Sequence, residues 1–228
     1  MSQTDDGREE FHKLGELAEA GKFQEALEKH LWFHEASREM SGMGGVRLSY
    51  ALDMWFDLAK NYSPAMDAFI ELRNSNKETL LEGKGSFDNF HDLSAFNRTL
   101  DEDEDTFNVF LHIHDNFPDQ AKSYYNVSEE LIIERKRYDI CETYLSDPFK
   151  KYSKIQHLHE INQRFMSERP EMGQDEEYVS YVHERYVFSV SQLIEVLLAL
   201  GKISEAEKIK SESLEYYETS EINNIKIF

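Results

Sequence analysis

Apolar residues recur at helical spacing in the opening segment of the chain. Because an α-helix has about 3.6 residues per turn, apolar positions three or four apart lie on one face of the helix. The pattern stops at Gly21 and then resumes, and glycine commonly ends helices, so the segment predicts two antiparallel helices joined by a tight turn. The apolar positions are Phe11, Leu14, Leu17 and Ala18 before the turn, and Phe23, Ala26, Leu27 and Leu31 after it.

The same period continues through most of the chain. Residues 46–62 are apolar on two sides, including Trp55, which is typical of a helix packed between neighbours. Ser63 is predicted as the N-cap of the next helix, with Pro64 at its first position. The pattern as a whole predicts an all-α chain of about eleven helices with no strand. Later helices are predicted near residues 87–100, 101–117, 119–135, 137–145, 149–168 and 175–200.

The domain organisation follows from length and from two irregular segments. A chain of 228 residues can form one domain with a sizeable core, so we predict a single helical domain over residues 1–228. A flexible break is predicted at residues 83–86, which read GKGS. The segment 219–228 has no helical stripe and is predicted to be a non-helical tail. It either frays or docks its isoleucines into a groove of this chain or of a second copy, so a homodimer is an alternative.

An internal echo suggests repeats. The stretch GKFQEALEKH begins at Gly21, and GKISEAEKIK begins at Gly201. The positions around both turns resemble those of the tetratricopeptide repeat, and a weaker third copy has Lys136 at the glycine position. The resemblance implies a right-handed superhelix of antiparallel helix hairpins. Residues 30–69 also resemble stretches of uncharacterised bacterial proteins, which implies no activity. The matching residues are Leu14, Leu17, Gly21, Phe23, Glu25 and Ala26, then Leu131, Ile132, Tyr138 and Cys141, and finally Leu193, Leu197, Gly201, Ile203, Glu205 and Ala206.

Charge and cysteine content narrow the classes of partner and compartment. The chain has 45 Asp and Glu against 25 Lys and Arg, giving a net charge of −20. Nucleic acids and anionic membranes require a positive surface, so neither is a predicted partner, whereas a basic protein or peptide is favoured. Cys141 is the only cysteine, which fits a reducing compartment. With no signal-like start and no apolar run of membrane length, the chain is predicted to be cytoplasmic.

His30 and His34 are the strongest candidates for metal ligands. They lie four positions apart and therefore on one helix face, as two imidazoles that share a zinc ion do. They also continue the apolar stripe of Phe23 and Leu27, so a structural role in the core is preferred. A small metal-dependent enzyme or metal protein that uses this pair, joined by His91, remains an alternative.

The other motifs point to structure more than to chemistry. The HIH and HLH pairs that begin at His112 and His157 diverge on a helix, because residues two apart point in different directions. The acidic run at residues 101–105 lacks the Gly and Glu of a calcium loop, and the glycines at residues 42–45 follow no predicted strand. No catalytic residue, metal site or cofactor is predicted.

Binding by a helical surface is the remaining function. Trp32 lies on an otherwise polar helix face, and exposed tryptophans commonly anchor partners, although a following hairpin could cover it. We predict a non-enzymatic scaffold that holds a protein or peptide in a helical-repeat groove. A ligand-responsive regulator is a further alternative. The predicted partner-binding residues are Trp32, His34, Arg47, Tyr50, Asn97 and Arg98.

Overall fold

Every regular element that the computed structural model describes, over residues 3–169 and 173–227, is a helix. The all-α prediction is confirmed for these residues. The number of helices exceeds the predicted eleven because the four-residue helices α3 and α13 were not predicted. The helices are α1 (Gln3–Glu19), α2 (Phe23–Ala36), α3 (Gly44–Arg47), α4 (Tyr50–Asn61), α5 (Ser63–Leu81), α6 (Phe87–Thr99), α7 (Asp103–Asn116), α8 (Pro118–Glu134), α9 (Tyr138–Tyr144), α10 (Pro148–Glu168), α11 (Glu176–Ala199), α12 (Ile203–Tyr216) and α13 (Ser220–Asn223).

Contacts between Cα atoms divide the chain into two compact units, one ending at Ser128 and the other beginning at Glu129. The sequence predicted a single domain with its break at residues 83–86. The division falls inside α8 instead, where the helical pattern gives no sign of it. Each unit has its own buried apolar residues, and each is described separately below.

The predicted break at residues 83–86 is packed inside the first unit. The carbonyl of Gly83 accepts a hydrogen bond from Gln120 Nε2 at 2.7 Å, and the carbonyl of Gly85 accepts one from the Tyr124 hydroxyl at 2.7 Å. A Cβ atom at Gly83 would lie 2.5 Å from the ring of Phe117. These glycines therefore allow close packing, which the sequence pattern could not distinguish from flexibility.

The core of the first unit lies where α4, α5 and α6 pack together, with α2 against α4. Trp55, Phe69 and Phe96 are buried there, and their ring centroids are 4.5 to 6.1 Å apart. The indole Nε1 of Trp55 donates to the carbonyl of Ala65 at 3.1 Å, so its polar atom is satisfied. The predicted burial of Trp55 is confirmed.

The second unit is arranged around α11, which packs against α10, α12 and α13. One side of α11 is buried along its whole length because apolar residues recur every three or four positions. This helix is the longest that the structure describes, and its opposite side is treated below as a candidate site. The buried stripe consists of Val182, Tyr186, Val190, Leu193 and Leu197.

The predicted non-helical tail is wrong at four residues. Thr219 caps α13 by accepting a hydrogen bond from the backbone N–H of Ile222, whose side chain is fully buried. Lys210 of α12 donates to the backbone carbonyls of Asn223 and Ile225. Isoleucine burial and a threonine cap stabilise this short helix although it lacks a continuous helical stripe. The final residue of the tail, Phe228, lies outside the described residues.

Five helix ends in the described part of the chain share one turn geometry. The residues at these turns have φ values between 54° and 72°, in the left-handed region, and they are Gly21, Gly83, Asp101, Lys136 and Gly201. Each donates its N–H to the carbonyl three residues earlier, and the following residue donates to the carbonyl five residues earlier. This pair of bonds is the Schellman motif. Lys136 therefore makes the same turn as Gly21 and Gly201, but so do Gly83 and Asp101, which lie outside the predicted copies.

Two predicted helix boundaries need correction. Residues 46–62 form two helices, α3 and α4, because the backbone leaves the helical conformation at Leu48 and Ser49. Ser63 is the first residue of α5 and not its cap, since the N-cap position belongs to Tyr62. None of the helices in the described part of the chain is long and apolar enough to cross a membrane.

Candidate functional site

The structure separates the predicted partner-binding residues by burial. The exposed ones are Trp32, Tyr50 and Arg98, and the buried ones are His34, Arg47 and Asn97. A buried side chain cannot contact a partner directly, so the second group is corrected to polar residues of the core. Sequence spacing placed both groups on helices but could not show which side of each helix is covered.

The exposed residues differ in their immediate contacts. Trp32 is 45% exposed, and Lys29 Nζ lies 3.9 Å from the centroid of its ring. Trp32 is therefore not covered by a following hairpin, which was the alternative to an exposed anchor. Tyr50 is 67% exposed, and Arg98 donates to the carbonyl of Leu48 at 2.8 Å.

Asp92 is the centre of a buried charged cluster in the first unit. Its carboxylate on α6 is fully buried, with Arg38 Nη2 2.5 Å from Oδ2 and Arg47 Nη2 2.6 Å from Oδ1. His34 Nε2 lies 3.3 Å from Oδ2 and 3.0 Å from Arg47 Nη1. A lone buried carboxylate is strongly unfavourable, and two guanidinium groups compensate for its charge.

Opposing effects set the charges in this cluster, which we call the Asp92 cluster (His34, Arg38, Arg47 and Asp92). Burial alone would raise the pKa of Asp92, but hydrogen bonds from His34 and Arg47 outweigh it and lower this pKa to about 2. Burial lowers the pKa of His34, and the nearby Asp92 carboxylate opposes that shift only in part. The cluster therefore combines an ionised carboxylate with a neutral imidazole near neutral pH.

The candidate metal pair is part of the same core. His30 stacks on Trp55 with ring centroids 5.8 Å apart, and burial lowers the pKa of His30 to about 4. The gap between His30, His34, Arg47 and Trp55 is too small to hold a water molecule. Over residues 3–169 and 173–227, no three His, Cys, Asp or Glu side chains are grouped closely enough to bind a metal ion.

Asn97 belongs to a second polar contact of the first unit. Its Nδ2 donates to Thr106 Oγ1 at 3.0 Å, and its Oδ1 accepts from Arg73 Nη1 at 3.3 Å. The acidic run at residues 101–105 leads into the first turn of α7, where Asp105 pairs with Lys77. These groups connect helices within the unit.

His159 of the second unit is surrounded by tyrosines. Its ring stacks on Tyr186 with centroids 4.7 Å apart, and its Nδ1 lies 3.1 Å from the hydroxyl of Tyr216. Burial lowers the pKa of His159, and the charge of nearby His183 acts in the same direction. His157, two residues earlier, is exposed, so the two histidines of the HLH motif do not face a common ligand.

The outer side of α11 carries large apolar residues that the fold leaves exposed. Tyr181 is 55% exposed and Phe188 is 41% exposed. They are seven positions apart, so they share a helix face and lie about 10 Å apart along the axis. This face points away from the buried stripe, because Val182 and Tyr186 belong to the opposite side.

An open cavity of about 330 Å³ lies over this face. Arg185 pairs there with Glu130 of α8 at 2.5 Å, and its guanidinium lies 5.6 Å from the centroid of the Phe188 ring. We call this the α11 cavity. Its lining residues are Glu130, Tyr181, Glu184, Arg185 and Phe188.

A smaller recess adjoins the α11 cavity. Its volume is about 60 Å³, and Arg185 lines both spaces. Leu158 of α10 is 51% exposed and also lines the recess, together with the polar side chains of Asn162 and Ser189. The two spaces therefore present exposed apolar surface from α10 and α11 beside a few polar groups.

No protein-family model, curated protein or solved structure matches this chain.

The sequence contains a pattern that predicts the exposed apolar face of α11. Residues 175–200 were predicted as one long helix, and the stripe Val182, Tyr186, Val190 already accounts for one packed side. Tyr181 and Phe188 fall outside that stripe, and a helix with two apolar sides needs a second contact surface. Glu130 could not be connected with this face, because it comes from another helix.

Proposed function

We propose that this protein is a non-enzymatic binding module that holds a segment of another protein, or a peptide, in the α11 cavity. The observation that carries the proposal is the exposure of Tyr181 and Phe188 over an open cavity of about 330 Å³. Aromatic side chains that enter a pocket dominate binding energies, and large exposed apolar surfaces commonly mark interaction sites. A volume near 300 Å³ is at the lower end of the range for ligand pockets.

The spacing of the two aromatic residues supports a helical or extended segment as the ligand. An amphipathic helix that lies along α11 presents apolar side chains every three, four or seven positions, which matches the separation between Tyr181 and Phe188. One apolar side chain of such a segment would fill the cavity between the two rings. The exposed Leu158 on α10 would extend the contact along the adjoining recess.

A repeat architecture of the tetratricopeptide type is part of the same proposal. The full burial of Ala26 and Ala206, each five residues after a turn glycine, supports it. Small residues at these positions allow two helices to approach closely. Repeats of this class bind peptides on their helical faces, which is consistent with a site on α11.

Selection from a library of random peptides tests the proposal. The immobilised protein is expected to select peptides with large apolar residues, and Phe188→Asp should weaken their binding about thirtyfold, since an anchor residue contributes about 2 kcal/mol or more. Binding constants would be measured by fluorescence polarisation. Phe87→Asp is the matched control, because Phe87 is 43% exposed on the first unit, and it should leave binding unchanged.

Trp32→Ala serves as the second comparison, since Trp32 was the predicted anchor. If Trp32→Ala abolishes binding while Phe188→Asp does not, the binding surface is the N-terminal hairpin and the α11 assignment is wrong. If neither change affects the selected peptides, or no peptide is selected, the proposed function is contradicted.

A further inference from the structure

The outer face of α11 alternates acidic and aromatic residues. Glu177, Tyr181, Glu184 and Phe188 are spaced four, three and four positions apart, so they form one continuous stripe along the helix. All four side chains are exposed. The cavity described above lies over the part of this stripe that contains Tyr181, Glu184 and Phe188. A ligand seated there would contact apolar rings and carboxylates together.

Acidic side chains outnumber basic ones among the residues that line the α11 cavity. Arg185 is the one basic side chain among the described residues that line it, and Glu130 already pairs with it at 2.5 Å. Glu184 accepts a hydrogen bond from the Ser180 hydroxyl at 2.8 Å. In the part of the chain that the structure describes, neither Glu184 nor Glu177 has a basic group within ion-pair distance. The stripe therefore carries surplus negative charge within a chain whose net charge is −20.

We propose that the ligand of the α11 cavity is a basic segment of a partner protein that places a Lys or Arg beside a large apolar residue. The apolar side chain would lie between the rings of Tyr181 and Phe188, and the cation would bind to Glu184 and compete with Arg185 for Glu130. This inference rests on the proposed function and adds the chemistry of the partner to it. The negative field of the chain would also speed the encounter with such a segment.

An acidic ligand would bind to the same surface through Arg185 and not through the glutamates. Its carboxylate would pair with Arg185 and displace Glu130. The two ligand chemistries therefore predict opposite effects of removing Arg185, although both depend on Phe188. This opposition makes Arg185 the most informative position for a test.

Three pools of short amphipathic peptides provide the probe. Each pool has the same randomised Phe and Leu positions on one helix face, and the remaining positions are Lys and Ala, Glu and Ala, or Gln and Ala. We expect the Lys pool to bind most tightly and its binding to weaken as ionic strength rises. Arg185→Gln should strengthen binding of the Lys pool about two- to fivefold, since it frees Glu130 from an exposed ion pair.

Two matched double variants distinguish the effect of the carboxylates at the α11 cavity from the effect of the net charge of the chain. E130Q/E184Q should weaken binding of the Lys pool at least about fivefold. E16Q/E71Q removes two exposed carboxylates from the first unit and should change it much less. Circular dichroism and thermal melting of each variant would confirm that the fold is retained.

The outcomes separate the two proposals. If the Gln or Glu pool binds as tightly as the Lys pool, and Phe188→Gln, which leaves the charge of the stripe unchanged, still weakens binding, the surface is correct and the basic chemistry is wrong. If Arg185→Gln weakens binding of the Lys pool, the proposed role of Glu130 is also overturned. If no pool shows a dependence on Phe188, the proposed function itself fails.

Discussion

The Asp92 cluster and the outer face of α11 both depart from the usual distribution of side chains, in which charged groups are exposed and large apolar groups are buried. In the first unit, charged groups lie inside, where Asp92 is fully buried beside Arg47 and His34. In the second unit, Tyr181 and Phe188 lie outside. The buried charges of the Asp92 cluster are compensated by ion pairs within the fold. The rings of Tyr181 and Phe188 stay exposed in the described part of the chain, and this exposure suggests a contact with another molecule.

The largest predicted effect is the loss of the carboxylate at the centre of the Asp92 cluster. Asp92→Ala would leave the buried Arg47 without its counter-charge, and the free energy of unfolding should fall by about 3–5 kcal/mol. Urea denaturation followed by circular dichroism would measure it. Asp88→Ala is the control, because Asp88 lies on the same helix and reaches the same Arg38 at 3.6 Å but is exposed. Its cost should stay below about 1 kcal/mol.

A double replacement makes that test sharper. R47M/D92L removes both members of the fully buried Arg47–Asp92 pair. It should be more stable than Asp92→Ala, because the cation that remains, Arg38, is partly exposed and still has Glu35 and Asp88 beside it. If the single and double variants are equally unstable, the cost comes from lost packing and not from charge.

The second prediction concerns pH. The folded pKa of His30 is lowered to about 4, so below pH 6.5 the unfolded chain takes up the proton first and the fold loses stability. This loss should reach roughly 3 kcal/mol between pH 6.5 and pH 4, and the lowered pKa of His34 adds to it. His30→Leu should therefore flatten the dependence of stability on pH in this window. Asp92 acts lower, since its stabilisation is lost as pH falls from its usual value of 3.8 towards 2.

The readout for His30→Leu is the slope of unfolding free energy against pH, so a general change in stability does not obscure it. His157→Leu is the control, because it makes the same replacement at a histidine that is exposed on α10. An unaltered slope in His30→Leu would mean that other groups cause the acid sensitivity.

The smallest predicted effect is on the outer face of α11. Phe188→Gln should change the free energy of unfolding by less than about 0.5 kcal/mol, because the exposed ring contributes little to the fold. Val190→Gln, two residues later on the buried side, should cost about 3 kcal/mol or more. Thermal melting of the two variants would compare them. A large loss of stability in Phe188→Gln would mean that the ring stabilises the fold, which would argue against its being available to a partner.

The sequence was informative where structure depends on neighbours along the chain. The glycine turns at Gly21 and Gly201, the burial of Trp55 and the start of a helix near Ser63 all follow from local spacing. The split between α3 and α4 was missed, because Leu48 continues the apolar pattern although the backbone leaves the helix there.

Properties that depend on distant residues were not predictable. His34 and Asp92 are 58 positions apart, and nothing near either residue signals their contact. Arg185 and Glu130 likewise meet only because two helices are packed in one unit.

The turn at Lys136 has a consequence for how such hairpins are recognised and altered. A lysine in the left-handed conformation costs about 1 kcal/mol relative to glycine, which a folded hairpin can tolerate. A residue other than glycine can therefore occupy the turn position while the backbone turn stays the same. A search for the glycine alone misses such turns, whereas the pair of hydrogen bonds that closes the helix identifies them whatever the residue.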